Sequence, residues 1–172
     1  METIDQDELD LMTGNHYLSA CTNGRSGKRM VLKERKLEDL NWHPMGGNTE
    51  DKHYNGVCIE ECILQNVDMR FMNFSGSTMK RCVFERCRFT FSDMSKSIFA
   101  GSSFDSCYFM GTNMQGSDLR HCWFSEKSFF NTNLQDCNLY GALRSDDELV
   151  EAFTRGVKNL EWRNGIVKWT MN

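Results

Sequence analysis

Eight cysteines and four histidines are the residues of this chain with the widest chemical reach. Thiolates and imidazoles bind zinc, and a cysteine oriented by a histidine makes a nucleophile. Their spacing suits neither use. Structural zinc is held by paired C-x2–4-C ligands; the nearest approach is Cys58 with Cys62, and no second pair of suitable spacing accompanies it. His16, His43, His53 and His121 are scattered, with no H-E-x-x-H, and no G-x-S-x-G is present. The stretch "GRSGKR" (24–29) lacks the four-residue spacer and the hydroxyl after lysine of a phosphate loop, and reads as a basic turn. Nothing assembles a nucleophile, a base and an oxyanion donor. No catalytic residue, metal ligand or cofactor is therefore expected, and the chain reads as a non-enzyme.

What the cysteines share is a register. Six of the eight, Cys62, Cys82, Cys87, Cys107, Cys122 and Cys137, stand two residues before a large apolar residue. Those large residues recur every five positions: Ile59, Leu64, Met69, Phe74, Met79, Phe84, Phe89, Met94, Phe99, Phe104, Phe109, Met114, Leu119, Phe124, Phe129, Leu134 and Leu139. With 40% of the chain apolar, an unbroken run of this length arises by chance about once in several million trials for a fixed register. The position two before each centre is nearly always small: Val57, Ser77, Ser92, Ser97, Ser102, Thr112, Ser117 and Thr132 join the cysteines, with Val67, Met72 and Lys127 the larger members. Cysteine at such a place acts as a small hydrophobe.

A period of five suits no standard element. In a helix, five steps turn roughly 500°, so the stripe drifts by about 140° each time. In a strand an odd period sends successive centres to opposite faces. The pattern needs a backbone that corners regularly, so that each coil buries its face on the next, as a solenoid does.

The units "SDMSK", "TNMQG", "SDLRH", "TNLQD" and "CNLYG" resemble the pentapeptide-repeat family, whose pattern is a small residue, Asp or Asn, Leu or Phe, then two variable residues. The resemblance covers residues 57–141, about half of the chain. It implies a mainly β fold: a right-handed four-sided β-helix with one pentapeptide per side. Seventeen units then make a little over four coils, a rod roughly 20 Å long at the strand spacing of about 4.8 Å.

The organisation expected from this is a partly helical lead-in over 1–28, a possible first coil with an inserted loop over 29–56, the β-helix over 57–141, and a helical cap and tail over 142–172. Leu32, Leu37 and Trp42 are candidate centres of the first coil, and "HPMGGNTEDKHYNG" (43–56) is the loop, with the only proline and a Gly-Gly pair. Ser145 with Glu148 reads as a capping box, and Leu149, Phe153 and Val157 follow at helical spacing. "IDQDELDLMTGNHYLSA" (4–20) is a candidate N-terminal helix.

The formal net charge of −4 suggests neither an acidic tail nor a basic arm. The acidic start "METIDQDELD" is unlike a signal or transit peptide, and no run of about 18 apolar residues spans a membrane. The expected compartment is the cytoplasm, with reduced thiols rather than disulfides. The triplet Asn73-Phe74-Ser75 then has no glycosylation role.

Positions twenty apart stack along one side of a four-sided coil. The side centred on 74, 94, 114 and 134 is polar outside, with Asn73, Asp93, Asn113 and Asn133. The side centred on 69, 89, 109 and 129 carries Phe71, Phe91, Tyr108, Met110 and Phe130, and the adjoining side carries Ile63, Val83 and Trp123. A contiguous apolar strip marks an interface, and aromatic anchors are typical of hot spots. Two readings stand: a partner surface through Phe71, Phe91, Tyr108, Met110, Trp123 and Phe130, or a surface covered by the N-terminal helix, the 43–56 loop or the C-terminal segment.

The resemblance implies a protein partner, with DNA gyrase or another nucleic-acid-handling complex as the family's best understood targets. It also implies a possible homodimer through the C-terminal cap, with Val150, Phe153, Val157 and Trp162 as the candidates. The expected role is a rigid protein-binding module, an inhibitor or protection factor in a bacterium or phage. A DNA mimic acting on gyrase or topoisomerase is one alternative, and a structural homo-oligomer another. Residues 57–141 carry nine acidic and eight basic residues, a net of about −1. That is far from duplex DNA, with one charge per about 1.7 Å of axis. The basic residues form no stripe with stacking aromatics, so no direct nucleic-acid partner is expected.

Overall fold

The computed structural model describes residues 1–21, 29–42, 54–125, 129, 131–144, 160–163 and 166–169. Its elements follow from one local event repeated. Two residues after each apolar centre, from 61 to 121 and again at 131, 136 and 141, the backbone takes a positive φ of 51–74°. The next amide closes a turn onto the centre: Ser92 N–H donates to the Phe89 carbonyl at 3.0 Å, and Thr112 N–H to that of Phe109 at 2.9 Å. A positive φ at the third residue of a four-residue turn is the signature of type II geometry. Each pentapeptide is thus a short extended side and a corner.

Four corners bring the chain back on itself after twenty residues. Leu64 lies against Phe84, Phe84 against Phe104 and Phe104 against Phe124 in parallel register. The side holding these residues is a seven-stranded parallel sheet, β1 (Glu2–Ile4), β3 (Arg35–Glu38), β5 (Ile63–Gln65), β7 (Val83–Glu85), β8 (Ser103–Asp105), β9 (Trp123–Phe124) and β10 (Leu143–Arg144). A second side starts with β2 (Val31–Lys33), β4 (Cys58–Glu60) and β6 (Thr78–Lys80) and continues through single bridges Thr78–Ile98–Asp118–Asn138. Bridges Asn41–Asp68–Arg88–Tyr108 and Asn73–Asp93–Asn113–Asn133 hold the other two.

The segment 29–42 supplies three sides of a coil: Leu32 pairs with Ile59, Leu37 with Leu64, and Asn41 bridges to Asp68. Its offset to the next coil is 27 residues (Leu37 to Leu64) rather than 20. The fourth side is Tyr54, a buried centre whose corner is Gly56 at φ 75°. The chain between them, 43–53, lies outside the described residues.

The interior is columns of like side chains. Phe84, Phe104 and Phe124 stack at 4.9 and 5.0 Å; Phe89, Phe109 and Phe129 stack at 5.1 and 4.9 Å; the two columns meet edge to face. Burying each ring contributes roughly 1.5–3 kcal/mol, and ring–ring geometry adds to it.

The small inward residues do more than fill space. The hydroxyl of Ser97 donates to the Phe74 carbonyl at 2.9 Å and accepts from Ser77 N–H at 3.2 Å. Ser92, Ser102, Thr112, Ser117 and Thr132 donate in the same way to the centre one coil back. The thiols of Cys82, Cys87, Cys107, Cys122 and Cys137 take the same place. The centre's carbonyl lies at the corner, and the hydroxyl or thiol one coil on gives it a partner beside the turn amide, for example at Phe74, Phe89 and Phe109. Cysteine here is a donor as well as a small hydrophobe.

Helix α1 (Gln6–Cys21) follows β1. The Asp5 carboxylate accepts from Glu8 N–H at 2.9 Å, an N-cap, with Asp7 and Glu8 in the first turn. Leu9, Thr13 and His16 are buried at helical spacing. The Gln6 amide donates to the Asn41 carbonyl at 2.8 Å and accepts from Asn41 N–H at 2.9 Å, as a neighbouring strand would. The helix therefore closes the first coil, whose edge would otherwise be open.

At the C-terminal end the described residues lie in strands. Ala142 is buried and β10 is the seventh and last strand of the large sheet, so the solenoid runs past 141. Ser145, Glu148, Val150, Phe153 and Val157 lie outside the described residues. Beyond them, β11 (Leu160–Arg163) and β12 (Ile166–Trp169) form an antiparallel pair with Trp162 opposite Val167. The assignment of Trp162 to a helical cap is thus corrected. The register also places Leu160 opposite Trp169.

Candidate docking surface

At the corner following the third side, residues 71, 91, 111 and 131 stack. Two of them are phenylalanines. Phe71 and Phe91 both hold a positive φ, 59° and 58°, and remain 52% and 54% exposed. Bulky side chains rarely adopt that backbone conformation. Their rings stack on each other at 5.6 Å and 17°, outside the solenoid. The next rung is Gly111, and the Phe91 ring lies over it, 2.5 Å from where a Cβ would stand. The ladder is thus two rings resting on a glycine.

Tyr108 and Met110 project from the adjoining side and are exposed. Phe71, Phe91, Tyr108 and Met110 therefore form one surface. Trp123 is exposed with Val83 on the seven-stranded side, across the corner formed by Asn66, Arg86 and Ser106, so it lies apart from the ladder. Phe130 lies outside the described residues. Helix α1 does not cover this surface; it buries Leu9, Thr13 and His16 at the end of the coil. The 43–53 and 145–159 segments lie outside the described residues.

Between the ladder and Trp123, Asn66, Arg86, Arg88, Ser106 and Tyr108 line a groove of about 370 Å³. Positions 66, 86 and 106 and positions 68, 88 and 108 fall twenty apart, the one signal of it in the sequence.

Elsewhere the exterior is internally neutralised. Asp68 pairs with Arg70 at 2.6 Å, Asp118 with Arg120 at 2.7 Å, Glu61 with Arg81 at 2.6 Å and Glu60 with Lys33 at 3.1 Å. The hydrogen bond from Arg120 holds the Asp118 carboxyl below its ordinary range. On the polar side, Asn113 donates to Asp93 and Asn133 to Asn113, both at 3.1 Å, a side-chain ladder.

Four of the inward thiols, Cys82, Cys107, Cys122 and Cys137, are made poor nucleophiles, whereas the hydrogen bond with Cys82 lowers Cys62 to about 7. Burial pushes Cys122 and Cys137 up to about 12, and raises Cys107 further. Cys82 is raised by its hydrogen bond with Cys62, then by burial. Among the described residues no three His, Cys, Asp or Glu side chains converge as a metal-ligand set. Among the same residues, no helix is long and apolar enough to cross a membrane.

A family model described as pentapeptide repeats matches residues 62–101, 87–125 and 107–143, in eight copies. No curated protein matches the chain by sequence. Among solved structures, the chain is similar to HetL, a pentapeptide repeat protein involved in heterocyst differentiation regulation from the cyanobacterium Nostoc sp. strain PCC 7120. The identity is 13%, the TM-score 0.50, and the match covers 67% of this chain and 49% of HetL. The match thus spans about half the length of that relative. A second similar structure is QnrB1, a plasmid-mediated fluoroquinolone resistance protein, at 16% identity and a TM-score of 0.42, covering 75% of this chain and 71% of that one. At such identities the likeness concerns the fold.

Proposed function

The chain belongs to the pentapeptide-repeat family through its residues 62–143, and we propose that it is a non-enzymatic, rigid protein-binding module. Its docking surface is the corner of Phe71 and Phe91 with Tyr108 and Met110 beside it. One observation carries this reading: two phenylalanines occupy consecutive left-handed corner positions, half-exposed and stacked on each other. A corner is best served by glycine, which stands at 76, 101, 111, 116 and 141. Placing rings there carries a conformational cost, and strain of this kind clusters at functional sites. Rigidity supports the role as well, because a surface fixed before binding loses little entropy on docking.

Acting on a nucleic-acid-handling complex in a bacterium or phage, as an inhibitor or protection factor, is the family-based form of this proposal. DNA mimicry is less well supported. Asp68, Asp118, Glu60 and Glu61 each hold a cationic neighbour, which breaks up any continuous acidic field.

The test is affinity capture from a lysate of the source cells, with wild type and a Phe71→Ser/Phe91→Ser variant side by side. The double variant is expected to keep the wild-type circular dichroism spectrum and to lose the specifically retained protein. Equal retention by both would refute the assignment of the corner.

A further inference from the structure

The groove beside the aromatic ladder holds a cation with no counterpart among the described residues. Its carboxylate neighbours are engaged: Glu85 with Gln65 and Arg86, Asp68 with Arg70, and Asp105 with Ser106 and Ser125. Arg86 is spent as well, on Glu85 and on the Asn66 side-chain oxygen at 2.6 Å. Arg88 is different. It stands between Asp68 and Tyr108 in its bridge column, and among the described residues its guanidinium has no hydrogen bond or ion pair. Tyr108 in the next coil adds an exposed phenol, and Asn66 and Ser106 add polar rims.

We propose that this groove takes a carboxylate from an acidic segment of the protein partner, seated on Arg88 while an adjacent apolar side chain of that segment packs on Phe91. The inference rests on the docking reading above and names the chemistry of its partner. Charge complementarity argues for it: a guanidinium offers a planar fork matched to a carboxylate, and among the described residues none engages this one. The same observations disfavour a nucleic acid. A duplex or single strand is tracked by a row of cations, and among the described residues this groove offers one guanidinium without a partner, on a chain of net charge −4. Apolar Phe71, Phe91 and Met110 beside it call for an apolar anchor, which a phosphate backbone lacks.

The experiment is selection of a displayed library of random peptides on the full chain, followed by affinity measurement of the enriched peptides. Enriched sequences are expected to carry Asp or Glu close to an aromatic or aliphatic residue. Arg88→Gln, on an exposed side chain, is expected to weaken them by about tenfold or more while leaving the circular dichroism spectrum unchanged. Enrichment without acidic residues, equal binding by Arg88→Gln, or no enrichment at all would overturn the proposal. So would a short DNA duplex whose binding is lost in Arg88→Gln. Peptides without acids that still need Phe91 would remove this proposal and leave the docking corner standing. Acidic peptides that need Arg88 and ignore Phe91→Ser would support the carboxylate seat and remove Phe91 from the docking surface.

Discussion

The ring of Phe91 occupies the space that a side chain at Gly111 would need, with two ring carbons 2.5 Å from the position of a Cβ there. Gly111 also holds φ 67°, so a side chain would meet both strain and a clash. Gly111→Ala is expected to destabilise the fold by about 1–3 kcal/mol, read by urea unfolding. Gly76 holds a similar φ of 65° with nothing within 4 Å, so Gly76→Ala reports the backbone share alone, about 1 kcal/mol. Adding Phe91→Ala to Gly111→Ala is expected to recover the difference. Equal effects at 76 and 111 would mean that the ladder does not rest on the glycine.

The inward hydroxyls and thiols are expected to be interchangeable with each other and not with alanine. Ser97→Ala removes the hydroxyl's bonds to the Phe74 carbonyl and from the Ser77 amide, which keep only their 3.1 Å turn bond to each other, at a cost of about 0.5–1.5 kcal/mol. Ser97→Cys is expected to cost less, because in the same column Cys137 donates its thiol to the Met114 carbonyl at 2.9 Å. Urea midpoints compare the two, and an alanine variant as stable as the cysteine one would show that the bond to the carbonyl adds nothing.

Thiol accessibility follows the same geometry. Cys58 points outward and is partly exposed, whereas Cys82, Cys87, Cys107, Cys122 and Cys137 are buried. Brief alkylation at neutral pH, mapped by mass spectrometry, is expected to modify Cys58 and spare those five. Rapid modification of Cys107 or Cys122 in the native protein would contradict the packed interior.

The five-residue beat was legible because every fifth side chain is apolar and every coil repeats the same corner. The inward direction of Phe84, Phe89 and Phe104 and the outward direction of Phe91 both follow from that count. The hydrogen-bonding role of the cysteines was not, because the carbonyl they serve belongs to a residue 23 positions earlier. The same holds for the Arg88 groove, which three coils form together at the 66–86–106 corner and the side that follows it. The β11–β12 pair carried a local signal, since Asn164-Gly165 between two alternating runs favours a two-residue hairpin loop. The helical spacing of Leu149, Phe153 and Val157 just before it points the other way.

The N-terminal closure is expected to loosen in acid. His16 accepts the Met30 amide proton at its Nδ1, 3.1 Å away, and stacks on Tyr54. Burial, with Arg29 adding to it and the Asn55 backbone opposing, lowers its pKa below the ordinary 6.5. The unfolded end therefore binds a proton before the folded one does. Stability from this group is full above about pH 6.5 and is lost as pH falls through that value towards the lower folded pKa. Hydrogen exchange across α1 is expected to quicken over that interval, and His16→Gln to remove the dependence. Exchange that stays flat with pH in the wild type would show that His16 does not hold the helix.

Hydrogen exchange of the free chain against the chain bound to its captured protein tests the docking corner most directly. Protection is expected at amides around Phe71, Arg88, Phe91 and Met110, with the Asn73–Asn133 side unchanged. Protection confined to that polar side or to β11 and β12, with none around Phe91, would contradict the assignment.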